Sequence, residues 1–173
     1  EDPLKNELPR QLSSRLSVEK NHAARQMLAD DTKVVLTADT VVGCGRKILP
    51  NAENTLHAEQ CLKMLSGRSN KVYTSVCVSA ATCTSTNNAS SLKIVTKTIV
   101  TDVKFKVLST HDIKMYLKSG EWKGKAGGYS IQGYADCFIR SINGSYSNVV
   151  GLPLHTTHNI LKNFSIYPIL AKT

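Results

Sequence analysis

The stretch KVVLTADTVVG, residues 33–43, reads as a buried β-strand that carries a carboxylate in its middle. Strand side chains alternate between faces, so Val34, Leu36, Ala38, Thr40 and Val42 share one face, and Val35, Thr37, Asp39 and Val41 the other. Asp39 therefore sits among groups meant for a core. An unpaired buried carboxylate costs several kcal/mol, so a chain keeps one where it is paired, bound to a metal or open to a cleft. Two readings stand side by side here: a hydrogen-bonded structural acid near a strand end, and a functional acid.

Working outward, 173 residues with 41% apolar and 20% charged composition suit one domain, residues 1–173, with a sizeable core. No apolar run is long enough to span a bilayer, and the first residues are too polar for a signal peptide. The five cysteines (Cys44, Cys61, Cys77, Cys83 and Cys137) are odd in number and include no C-x-x-C pair, which suggests reduced thiols in a cytoplasmic protein. The formal charge of +9 suits a polyanionic partner. Its lysines and arginines are scattered, however, and three Phe and one Trp offer little for base stacking, so a nucleic-acid partner is disfavoured. The chain opens EDPLKNELP without a Met, and the expectation is a fragment or trimmed product.

Before the strand, a helix is expected from Pro9, with Leu12, Leu16, Ala23 and Met27 as its apolar stripe and Lys20 close beside it. After a turn at GCGRK, residues 43–47, the spacing of Ala58, Cys61, Leu62 and Leu65 predicts a second helix closed by Gly67. Residues 71–82 alternate as a half-buried strand, CTSTNNASS (83–91) is a polar turn, and residues 92–108 return as one long strand or two. Ser109 or Thr110 caps a helix ending at Gly120, and a short strand is expected at CFIR, residues 137–140. Irregular alternation of strands and helices gives an α/β or α+β class on a single mixed sheet.

The segment GKAGGYSIQG, residues 124–133, gathers four glycines around Lys125 and Gln132 but lacks dinucleotide or P-loop spacing. Glycines let backbone amides approach an anion, Lys125 can neutralise phosphate, and the Gln132 amide can donate and accept at a base edge; the competing reading is a loop whose glycines only serve turns. His155 and His158 lack a third ligand nearby and read as a surface pair. Ser130 and Ser147 lack the partners of a hydrolase triad.

Four blocks, TADTVV, LSGRSNKVYTSV, SGEWKGKAGGYSIQG and GSYSNVVGLPL, taken in order and spacing, resemble the signature of the Maf (septum formation) family of nucleotide pyrophosphatases. The resemblance implies an α/β fold: a mixed central sheet with flanking helices around a deep cleft, similar to the inosine triphosphate pyrophosphatases. It also implies metal-dependent hydrolysis of nucleoside triphosphates to monophosphate and pyrophosphate, with Mg or Mn as the cation and a cytoplasmic homodimer as the assembly. By position, Asp39 matches the family's proton acceptor and metal-holding acid, Lys20 the lysine of the preceding helix, and Thr40 and Gln132 the residues tied to substrate choice. The GGYSIQG form resembles the branch acting on dTTP and UTP. Two departures accompany the match: the family's opening strand and Ser-x-Ser-Pro-Arg-Arg loop are absent, and Asn51 stands where the family has a lysine, with Lys47 as the possible substitute. The alternative implied by those departures is a catalytically impaired member acting as a nucleotide-binding or division-regulating protein.

Overall fold

Residues 2–28, 33–83 and 90–167 are described by the computed structural model. Pro9 opens α1 (Pro9–Met27) at a position where its missing N–H costs nothing, and the Gln11 side chain accepts from the Leu8 amide. The strand of Asp39 is β1 (Val35–Cys44), and a turn with Gly45 at φ 61° folds it onto the short β2 (Lys47–Leu49). Asn54 caps α2 (Thr55–Leu65), whose buried face is Ala58, Cys61, Leu62 and Leu65, as their spacing predicts. Two long strands follow, β3 (Ser69–Cys83) and β4 (Ser90–Phe105), so the second apolar run is one strand. Residues 84–89, the centre of the expected polar turn, lie outside the described residues.

Helix α3 (Thr110–Ser119) is capped by Ser109, which exchanges hydrogen bonds with Asp112, and ends on Gly120 in the left-handed conformation. The strand expected at residues 137–140 is displaced: Tyr134–Phe138 form a 3-10 turn and β5 runs Ile139–Asn143. The apolar Phe138 that suggested a strand is fully buried against Tyr116 from the turn instead. Short α4 (Tyr146–Val150) and α5 (Leu154–Lys162) complete the described chain.

Among the described residues, five strands form one sheet in the order β2-β1-β3-β4-β5, and their pairings are all antiparallel. The α/β class is as expected, a central sheet flanked by helices, but the described strands pair antiparallel rather than as the mixed sheet expected, because each of these neighbouring strands runs back against the one before it. One face carries α2 and α3 over Val42, Val72, Val103 and Phe105, and α5 over Val76 and Val78. Helix α1 covers the other face. Strand β3 is therefore buried on both faces from Thr74 to Ala80, rather than half-buried as its alternation suggests.

The α1 face is polar where it meets the sheet. Ser13, Ser17 and Asn21, four residues apart, are buried: Ser13 bonds to Ser75, the Ser17 carbonyl accepts from Thr37, and Asn21 donates to the carbonyls of Val35 and Cys77. Leu12 and Leu16 pack beside them on Val41 and Ile48. Ala23 and Met27 are exposed, correcting the predicted stripe, because the buried face continues along the polar row rather than the apolar one. Among the described residues, no helix is long and apolar enough to cross a membrane.

Candidate functional site

Strand β2 pairs with β1 only from Val42 onward, so among the described residues Val35–Val41 carries no strand partner on that side. Around this edge opens a cleft of about 280 Å³. The edge gives the cleft side chains from both faces of the sheet: Asp39 from the α1 face, Thr40 from the face of Val42 and Val72. The remaining predicted residues, Lys20, Asn51, Lys125 and Gln132, line the same cleft. Lys47 is exposed on β2 and is not among the lining residues, so it does not take the place of a lysine at Asn51.

Lys20 reaches Asp39 because it lies four residues beyond Leu16, on the row that α1 turns toward β1. Its Nζ donates to Asp39 Oδ1 at 2.6 Å. The Asp39 side chain is 6% exposed and that of Lys20 41%, so the carboxylate is the desolvated partner and the ammonium keeps much of its water. An acid in a core strand is thus tolerated by pairing and by its position on a cleft.

The wall opposite β1 is the glycine-rich loop. The Ala52 amide donates to the Lys125 carbonyl, the Gly124 amide to that of Ala52 and the Gly127 amide to that of Pro50, which brings Asn51 beside Ala126. Gly127 and Gly128 both have φ 69°, and a Cβ on either would come within 3.0–3.2 Å of Val42 or Cys61. Only glycine combines that backbone with so close an approach. Tyr129, buried edge-on against Phe105, donates its hydroxyl to Asn70 Oδ1, and burial pushes its phenol above the usual range.

Beyond Tyr129 the chain makes a tight turn, Ser130–Gly133, closed by the Gly133 amide on the Ser130 carbonyl at 3.2 Å. Two side chains hold its ends. Tyr116 Oη accepts from the Ser130 amide at 3.0 Å, and Glu121 Oε2 accepts from the Tyr134 amide at 2.7 Å. Burial raises the Tyr116 phenol to about 12, so it stays a neutral hydroxyl.

Thr40 is held by residues that sequence reasoning missed. Thr74, its cross-strand neighbour, donates its single hydroxyl hydrogen to the Asn148 carbonyl at 2.8 Å. In the 2.9 Å contact between the two threonine hydroxyls, Thr40 must then donate and Thr74 accept. Thr40 meets the cleft with lone pairs, as an acceptor. Thr74 stands among valines on its face, the same anomaly that singled out Asp39, and was legible on that ground; Asn148 gave no such signal.

Other marked residues lie elsewhere. His155 contacts Asn159 on α5, and neither it nor His158 lines the cleft. Ser147 bonds Ser145 and accepts from the Leu154 amide; Ser130 lines the cleft without a histidine there. Among the described residues no three His, Cys, Asp or Glu side chains gather as a metal cage.

Compared with known proteins, the chain matches a family described as Maf-like protein over residues 1–164. It is 48% identical over 168 residues to a dTTP/UTP pyrophosphatase of Wolbachia pipientis subsp. Culex pipiens, covering 96% of this chain and 81% of that protein. A dTTP/UTP pyrophosphatase of Rhodopseudomonas palustris is 48% identical over 165 residues, 93% of this chain and 75% of that one. A nucleoside triphosphate pyrophosphatase of Ehrlichia chaffeensis is 46% identical over 161 residues, with 93% and 78% covered.

Proposed function

Because the chain belongs to the Maf-like protein family, we propose that its cleft hydrolyses dTTP and UTP to the nucleoside monophosphate and pyrophosphate. The observation that carries this reading is the convergence of an acid, two lysines, an acceptor hydroxyl and an exposed amide on one cleft around the open edge of β1. The names of the relatives supply the substrate class.

In this reading Lys20 and Lys125 attract the triphosphate, and Asp39 receives the proton of a water whose oxygen bonds to the α-phosphorus. The bond from that phosphorus to the bridging oxygen breaks, and pyrophosphate leaves with the electron pair. Lys20, donating to Asp39 Oδ1 at 2.6 Å, orients the carboxylate for the proton. Thr40, as an acceptor, suits an N–H or O–H of the nucleoside rather than a phosphate oxygen, and the Gln132 amide complements the O4 and N3–H edge of uracil or thymine.

A divalent cation fits the site in one manner. A single carboxylate in the cleft suits Mg²⁺ or Mn²⁺, ions that retain water and take further ligands from substrate phosphates, and not a caged zinc. Asp39 would hold it, and the cation would neutralise charge developing on the phosphates.

The test is pyrophosphate release from UTP, dTTP, CTP, ATP and GTP with Mg²⁺ present. Release from UTP and dTTP in preference to the purine nucleotides is expected. No release from any of them overturns the reaction and favours a binding protein.

A further inference from the structure

The turn that carries Gln132 is held from outside the cleft. Gln132 is itself exposed, and the segment around it is short, so the direction of its amide depends on how the turn is fixed. One end is tied to the buried Tyr116 through the Ser130 amide, and Ile131 is buried in the core. The other end is tied only a residue past the turn, where Tyr134 donates to Glu121. Glu121 stands directly after Gly120, at the exit of α3, so its carboxylate is delivered by a helix whose own end is fixed in the left-handed conformation.

Gly133 gives this contact its specificity. A Cβ built there would lie within 2.1–2.9 Å of the Glu121 carboxyl atoms, although φ at Gly133 is −125°. A side chain at Gly133 would therefore displace the Glu121 carboxylate from this contact, and the glycine answers to that close approach and not to a left-handed backbone. The Glu121 carboxylate occupies the place where a side chain on the turn would be.

We infer that Glu121 is a positioning residue for nucleotide choice: it locks the Ser130–Gly133 turn so that the Gln132 amide meets the pyrimidine edge in one orientation. The inference rests on the reading of the cleft as a pyrimidine nucleotide site. Without the lock, Gln132 samples several directions, and its hydrogen bonds to uracil are offset by the cost of ordering it. Glu121 touches no substrate and acts only through Gln132.

The test measures affinities for UMP and GMP by calorimetry on the full chain. UMP and GMP carry no anhydride, so binding is read without turnover. Glu121→Ala and Gln132→Ala should each lower the UMP-over-GMP ratio, by about tenfold, and the double variant should fall no further than Gln132→Ala alone. Glu121→Gln, which keeps an acceptor for the Tyr134 amide, should preserve the ratio. Gly133→Ala should reproduce the loss in the parent chain and add nothing in Glu121→Ala, where the obstructing carboxylate is gone.

An unchanged ratio in Glu121→Ala with a lowered melting temperature overturns the inference, as does a double variant whose loss is the product of the single losses. So does the absence of any UMP preference in the parent chain. If Glu121→Ala does not fold, Gly133→Ala with its Glu121→Gln partner reads the same contact. The reaction is judged separately: a chain that releases no pyrophosphate yet shows this pattern with UMP refutes the proposed hydrolysis and keeps the lock.

Discussion

At the scale of single residues, the Lys20–Asp39 pair is asymmetric, and its two members should respond differently to replacement. Asp39→Asn leaves a lysine that is far more exposed than the acid, so the melting temperature should stay within a few degrees while pyrophosphate release is lost. Lys20→Met removes the cation from a carboxylate that is 6% exposed, and should destabilise the fold by about 2–4 kcal/mol in denaturant titrations. Equal stability effects would show that the carboxylate is not the desolvated partner. Asp39 was legible in the sequence because a charge in a period-two apolar pattern is conspicuous, and Gln132 because its motif is. Glu121 was not, since its contact forms only where the exit of α3 meets Tyr134, thirteen positions on and just past the turn.

At the scale of elements, the start of α1 is fastened by charge. Arg15 donates through Nε and Nη2 to both Glu7 oxygens at 2.8 Å and reaches Glu19 through Nη1. The Arg15 bonds, aided by the Leu4 amide, hold the Glu7 carboxyl at about 2, below its ordinary 4.5. Since folding lowers this pKa, the stabilisation is complete above the ordinary value and fades as pH falls from about 4.5 toward 2. The melting temperatures of the parent and Glu7→Gln should therefore converge between pH 5 and pH 3, and a constant gap across that range would rule the contact out as its source. The helix was foreseen from Pro9, yet half of its buried face was not. Hydropathy spacing registers Leu12 and Leu16 but is silent about Ser13, Ser17 and Asn21, whose burial depends on hydroxyls and carbonyls that the sheet presents to them.

At the scale of the whole molecule, one sheet serves as the floor for two packed layers. The larger layer contains Trp122 and the α2 and α3 side chains, and α1 lies on the opposite face. Because β1 and β3 contribute side chains to both, unfolding in urea should give coincident transitions by Trp fluorescence and far-UV circular dichroism. A loss of helical signal before the fluorescence change would mean that the α1 layer melts separately. Strand order lay beyond sequence reasoning, since alternation says which residues share a face and nothing about which strands are neighbours. The two-sided burial of β3 was hidden for the same reason.

The polar seam under α1 also turns one thiol into a clock. Cys77 is fully buried on β3, where burial pushes its thiol up, and its carbonyl accepts from Asn21 of α1. An alkylating reagent attacks only thiolate that it can reach, so modification of Cys77 must wait for α1 to lift, whereas Cys137 is exposed from the outset. The same helix bears Lys20. A nucleotide gripping Lys20 from the cleft would hold α1 down, so UTP should slow mass-detected labelling of Cys77 while leaving that of Cys137 unchanged. Occupancy of the cleft would then be timed by a sulfur on the far side of the helix's seam, one that no ligand in the cleft needs to touch.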